Sequence, residues 1–244
     1  MGKKIQHTGI YLLPNLFTTS SLFAAFFSIV ASLKHNFETA AVAIFISMIA
    51  DGLDGRIARL TNTQTDFGAE YDSLADMVSF GVAPALLIYT WTLQFTGKLG
   101  WLVAFLQTAA VALRLARFNT QLDKADKNYF QGLSCTAGAA FITAWVWFCL
   151  QYNLDWIVVP WLTMFFALAT SLLMVSNIRY QSFKQIDFKG KVSFMTVLML
   201  VMVFVAIASS PATLLFVITA SYAISGPVQT LYMRHKMRKL RRKS

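Results

Sequence analysis

Trp156-Ile157-Val158-Val159-Pro160-Trp161-Leu162-Thr163-Met164-Phe165-Phe166-Ala167-Leu168-Ala169-Thr170-Ser171-Leu172-Leu173-Met174-Val175 is a run of twenty residues without a single charge. Wound as a helix it reaches about 30 Å, the thickness of a bilayer's hydrocarbon core. Val192–Ala208 is a second uncharged run of similar character. An isolated strand cannot satisfy its backbone polar groups in lipid, so both read as membrane-spanning helices. Extending the same reading outward gives candidate spans at 14–33, 40–60, 70–95, 98–118, 133–150, 155–176, 192–209 and 211–233. The whole chain agrees, with 57% hydrophobic and only 13% charged residues, where soluble domains carry about 25% charge. A soluble enzyme is excluded. The expected fold is an all-α polytopic membrane protein of about eight helices. It is expected to form one membrane-embedded domain over 1–244, with a six-helix core over 14–176 and two further helices over 192–233. The connections are short, the longest near 119–132 and 177–191, and no linker separates soluble parts.

The net charge is +10, and its placement says more than its size. With segment 1–13 in the cytoplasm, alternation of eight spans leaves only Lys34 and Lys98, of 21 Lys and Arg, on the far side. This positive-inside pattern predicts both termini and the 234–244 tail in the cytoplasm. That tail, Arg234-His235-Lys236-Met237-Arg238-Lys239-Leu240-Arg241-Arg242-Lys243, adjoins a span, so it reads as an anionic-lipid contact and topology signal, with no nucleic-acid role. The first hydrophobic run lacks a small-residue cleavage site, and the next helix must return across the membrane, so it reads as a retained span. Gln6 stands where a myristoylation site would need Ser or Thr. Cys135 and Cys149 are fourteen helical residues apart, roughly 21 Å, beyond disulfide reach, and read as packing residues. His7, His35 and His235 have no partner spacing for a metal. Trp91, Trp101, Trp156 and Trp161 sit near span ends, as an interfacial belt requires.

Acidic residues are few, yet Asp51, Asp54, Asp66, Glu70, Asp72 and Asp76, out of eleven in all, fall within one 26-residue stretch. Ionisable groups at membrane depth are costly and face a polar cavity or the bundle interior. Asp51 and Asp54 are three apart, Asp72 and Asp76 four apart, so each pair occupies one face of its helix. A short turn around Thr61–Thr65 makes the two helices antiparallel neighbours and brings four carboxylates together. Such a cluster repels itself strongly unless compensated. Oxygen-only ligands point to hard divalent cations, magnesium, manganese or calcium, and away from zinc. Two cations among carboxylates suit phosphoryl chemistry, because they polarise phosphate oxygens and stabilise the leaving group. The alternative is a set of helix-end carboxylates neutralised by Arg56 and Arg59. Asp66 is expected to cap the third helix, and Glu70 to face headgroups. Gly55 and Gly68 read either as helix-packing glycines or as gaps for a bulky anionic substrate; their place beside the aspartates favours the second.

The pattern D-x-x-D-G-x-x-A-R-x8-G-x3-D-x3-D, present here as Asp51, Asp54, Gly55, Ala58, Arg59, Gly68, Asp72 and Asp76, resembles the signature of the CDP-alcohol phosphotransferases, with every spacing intact. Other stretches are similar to the bacterial phosphatidylserine synthase branch of that family. They are Pro14–Thr18, Asp72–Pro84, Leu113–Asn119 and Ser176–Lys184, so the resemblance covers roughly three quarters of the chain. One departure is Ser134-Cys135-Thr136, where the branch often carries two prolines.

The resemblance implies that Asp51, Asp54 and Asp72 hold two divalent cations, Mg²⁺ or Mn²⁺ with Ca²⁺ open. Asp76 shares one of them and acts as general base. It implies a CDP pocket shaped by Gly55, Ala58, Arg59 and Gly68 with Asn15 and Thr18. The implied reaction transfers the phosphatidyl group of CDP-diacylglycerol to L-serine, releasing CMP, at the cytoplasmic face of a bacterial inner membrane. A homodimer is implied as well. Arg114, Arg117 and Asn119 are candidates for the acceptor's carboxylate or a phosphate, the alternative being that these arginines only mark the membrane boundary. Arg179 and Lys184 have the same two readings. The acidic pattern serves the donor, so glycerol 3-phosphate, inositol, an inositol phosphate or choline stay open as acceptors. A cation transporter is the reading from another class, and acids gathered at one end of the bundle argue against it.

Overall fold

A computed structural model of the chain describes residues 12–61, 63, 65–121, 129–154, 157–181, 195, 198, 201–202, 205 and 209–241. The expected span 192–209 and the basic tail's side chains fall largely outside these residues, as do His7, Trp156 and Lys184. The described elements are helices α1 (Leu12–Leu33), α2 (Phe37–Thr61), α3 (Asp66–Asp76), α4 (Ala83–Trp91), α5 (Lys98–Gln121), α6 (Cys135–Gln151), α7 (Val159–Val175) and α8 (Pro211–Arg241). Two three-residue strands, β1 (Tyr129–Gln131) and β2 (Arg179–Gln181), complete them. The chain is an all-α polytopic membrane protein. Pro14–Leu33, Asp66–Trp91, Lys98–Thr120 and Pro211–Thr230 are each long and apolar enough to cross a bilayer, and α6 and α7 are shorter apolar helices. Large apolar side chains such as Phe23, Phe26, Phe105, Phe165 and Leu172 point outward, which is tolerable only if lipid covers them.

Helices α1 and α2 pack closely on each other, joined by a tight turn at Lys34–Asn36. Small and polar residues let the backbones approach: Ser21 and Ser47 hydroxyls meet at 2.9 Å, and Ser28 donates to the Ala40 carbonyl at 2.8 Å. Such contacts replace the hydrophobic driving force that lipid does not supply. Gln107 on α5 does the same for α7, its carbonyl oxygen accepting from Thr170 and Ser171 at 3.1 and 2.8 Å.

The third expected span is one continuous rod interrupted at Met77–Val82, where i→i+5 hydrogen bonding makes a π-helical turn between α3 and α4. That turn packs on α5 and follows directly after Asp76. The two longest connections pair with each other: β1 and β2 form an antiparallel ladder, with Phe130 opposite Tyr180. Gly132 leaves β1 with φ +76°, and a Cβ there would overlap the Met174 carbonyl oxygen. Where two prolines were absent, Ser134 caps α6, its hydroxyl accepting from the Ala137 N–H at 3.1 Å. A side-chain cap holds the loop that prolines would have stiffened.

Helix α8 has 31 residues and continues past its apolar part into the basic segment. It carries Pro227, which cannot donate to the carbonyl four residues back, that of Ala223. The hydroxyl of Tyr180, a fully buried residue of β2, donates to this same oxygen at 2.9 Å. Gly226 makes room for the ring, since a Cβ there would overlap it. The β ladder is thus bolted to α8 at the point where the helix lacks a bond.

Candidate active site

The carboxylates of α2 and α3 meet at one end of the helix bundle. Asp51, Asp72 and Asp76 each place an oxygen within 4.8 Å of the others. Asp54 lies outside this tight spacing but within electrostatic reach of all three. It is buried, and its Oδ2 accepts from the Thr18 hydroxyl of α1 at 2.8 Å. Helix α1 organises the group: α2 and α3 are joined by a short turn, yet each has its main contact on α1. Thr18 of α1 therefore reaches Asp54 from one side while α3 brings Asp72 and Asp76 from the other.

Two oxygens, Asp72 Oδ1 and Asp76 Oδ1, are buried without any hydrogen-bond partner. Buried acceptors left alone are costly, and among the described residues no arginine relieves them. Arg59 turns its Nε back to the Gly55 carbonyl at 2.8 Å, and Arg56 is exposed. The reading of helix-end acids neutralised by these arginines is not what the structure holds. Two orphaned carboxylate oxygens of α3 beside Asp51 of α2 match the donor set of a hard divalent cation.

In front of Asp54 and Asp72 opens a cleft of about 560 Å³. All six residues expected around the nucleotide line it: Asn15, Thr18, Gly55, Ala58, Arg59 and Gly68. A Cβ at Gly55 would meet open space, so this glycine borders the cleft and packs against no helix. At Gly68 a Cβ would press on Thr65 Oγ1 at 3.1 Å and Asn15 Oδ1 at 3.4 Å, so glycine keeps α1 and α3 close. Asp66 does not cap α3. Thr65, extended at φ −132° and ψ 152°, accepts from the Gly68 N–H at 3.0 Å, and Asp66 is the first helical residue.

Phe118 also lines the cleft and was not foreseen. It sits beside the arginines of α5, and its only sequence signal is that it follows Arg114 by four residues, hence shares its helix face. Asn119 reaches the site's edge, its amide donating to the Ser73 hydroxyl at 3.1 Å, next to Asp72. Arg117 does not line the cleft. Its guanidinium is taken up by Gln131 Oε1, Asn177 Oδ1 and the Val175 carbonyl, which ties α5 to the β ladder's flanks. Arg114 is half-buried one turn deeper, and its Nη1 meets the Cys135 sulfur at 3.6 Å. Both cysteines are buried and unbridged.

A family model described as CDP-alcohol phosphatidyltransferase matches residues 11–173. The chain belongs to this family. Its matched region contains the whole acidic trio, Asp54 and the cleft. Among curated proteins, a CDP-diacylglycerol–serine O-phosphatidyltransferase of Helicobacter pylori is 38% identical over 228 residues, covering 93% of this chain and 94% of the relative. Proteins of the same name from Mycobacterium leprae and Bacillus subtilis are 34% and 33% identical. The first alignment covers 87% of this chain and 72% of the relative, the second 71% and 92%.

Proposed function

We propose that this chain is a CDP-diacylglycerol–serine O-phosphatidyltransferase, transferring the phosphatidyl group to the hydroxyl of L-serine with release of CMP. The observation that carries the reading is the cleft: the six residues expected to bind the nucleotide surround one space whose inner wall is Asp54 and Asp72. The relatives' names supply the acceptor. In this reading Asp51, Asp54, Asp72 and Asp76 hold two divalent cations, Mg²⁺ or Mn²⁺, which when bound polarise the pyrophosphate oxygens and neutralise charge on departing CMP. Thr18 fixes the Asp54 carboxylate, and Gly55 lets the nucleotide approach the α2 backbone. The ring of Phe118 offers the cytosine a flat apolar face. Asp76 takes the proton of the serine hydroxyl as its oxygen bonds to the β-phosphorus, the one bearing diacylglycerol, and the bond from that phosphorus to the CMP oxygen breaks. The site faces the cytoplasm, where CDP and serine are dissolved and both termini lie, while the acyl chains stay in the leaflet. The reading retains one membrane-embedded domain and the homodimer that the resemblance implies.

The test is CMP release by detergent-purified protein given CDP-diacylglycerol, magnesium or manganese, and serine or a rival alcohol in separate reactions. Release that needs both metal and serine, with phosphatidylserine formed, is the expected result. Release with glycerol 3-phosphate, an inositol phosphate or choline instead would overturn the acceptor and keep the family.

A further inference from the structure

Arg114 is a guanidinium near the site that neither lines the donor cleft nor ties to the β ladder among the described residues. It is half-buried on α5, its Nε is buried without a hydrogen-bond partner, and among the described residues no carboxylate pairs with it. The bond from its Nη1 to the Cys135 sulfur, at 3.6 Å, goes to a weak acceptor. An unfilled buried guanidinium is costly to keep, so its environment is one that an anion would complete. Arg114 lies one turn deeper than Phe118 on the same face of α5, and α5 packs on the π-helical turn that begins after Asp76. Cys135 lies within electrostatic reach of both Arg114 and Asp76. The unpaired guanidinium is therefore near the acidic trio, and it does not line the nucleotide cleft.

Helix α8 packs against the same side-chain cluster as Cys135. Tyr222 is half-buried, joins the apolar cluster that contains Cys135, Leu115 and Tyr180, and its ring lies 5.6 Å from that of Tyr180. Its phenol is within electrostatic reach of Arg114. The Tyr180 bolt at Ala223, with Gly226 accommodating the ring, fixes the register of α8 and so fixes where Tyr222 stands. Helix α8 lies wholly beyond residues 11–173, the part matched by the family model. The donor chemistry is contained in the shared region, and Tyr222 is added from outside it.

We propose that Arg114 and Tyr222 together hold the carboxylate of the acceptor, making α8 a determinant of acceptor choice. Arg114 supplies a charged fork and Tyr222 a hydroxyl donor, the combination that separates an amino acid from an amino alcohol. The inference rests on the serine reading above and names the residues that would enforce it.

The test compares serine with ethanolamine, which keeps the amine and hydroxyl but lacks the carboxylate, using the full chain in detergent. Arg114→Gln is expected to raise the serine KM about tenfold or more, leaving the CDP-diacylglycerol KM within about twofold. Tyr222→Phe, which keeps the ring against Tyr180, should shift the serine KM the same way by about threefold or more. Both should lower the serine-to-ethanolamine preference. CMP binding reports folding; if Arg114→Gln loses it, Arg114→Lys and Tyr222→Phe decide, since Lys keeps charge without the fork. Equal rises in both KM values, or an unchanged preference in a variant that binds CMP, would overturn the proposal. Wild-type protein that turns over serine but treats ethanolamine alike would also overturn it, with the serine reading intact. Wild-type protein inactive with serine sinks that reading itself, and this inference with it.

Discussion

Each acidic residue of the trio has a separate fate if changed. Asp76→Asn removes the proton acceptor without altering size, so turnover is expected to fall by about 10²-fold or more, with CMP binding kept. Loss of CMP binding in parallel would show that Asp76 shapes the nucleotide site. Phe118 yields a different kind of prediction. A stacked base is worth about 1–3 kcal/mol, so Phe118→Ala should raise the CDP-diacylglycerol KM and weaken inhibition by CMP, while Phe118→Tyr restores both. The acidic residues were legible in the sequence because charge is scarce there and their spacing repeats a helical face. Phe118 was not, since it is one of 21 phenylalanines and only the cleft separates it from those facing lipid. Arg117 shows the opposite limit: its partners come from two distant loops, which no local spacing reveals.

Among the elements, the join between β2 and α8 gives the most specific expectation. Tyr180→Phe leaves the Ala223 carbonyl, already deprived of a donor by Pro227, without a partner, and should cost about 1–3 kcal/mol. Thermal unfolding in detergent measures it. Gly226→Ala should be worse, because its methyl group would meet the Tyr180 ring. Burial pushes the Tyr180 phenol up to about 12, with Tyr222 adding to the shift. A value raised above the ordinary 10.0 means that this stabilisation is fully present below pH 10 and fades as pH passes about 12. The join should therefore be indifferent to pH through the neutral range. Its components were visible as a Gly-Pro pair and an isolated Tyr, yet their meeting depends on pairing across segments 129–131 and 179–181. Helix boundaries were better read: the expected 98–118 is Lys98–Gln121, and 133–150 is Cys135–Gln151. Hydrophobic runs fix such limits, whereas capping at Thr65 instead of Asp66 turned on a backbone conformation at one residue.

For the molecule as a whole, the cost of gathered carboxylates should be visible in its stability. Saturating Mg²⁺ or Mn²⁺ is expected to raise the melting temperature of detergent-solubilised protein, by an amount corresponding to about 2.7 kcal/mol at a hundredfold excess over Kd. Chelation should reverse it, and Asp72→Asn should blunt it. A melting temperature blind to both cations would contradict a cation site at these residues. The membrane class and the site's position at one end were plain from composition and charge. The loops' mutual pairing was not, because three-residue strands leave no periodic trace. That pairing has a consequence for biogenesis. Between β1 and β2 lie α6 and α7, seventeen residues each, about 26 Å long and thus slightly short for the bilayer core. If both cross the bilayer, they return the chain to the side it left. If either helix failed to insert, the two strands would emerge on opposite faces and could not meet. The ladder can close only on a correctly threaded chain, so it serves as a parity check on membrane insertion.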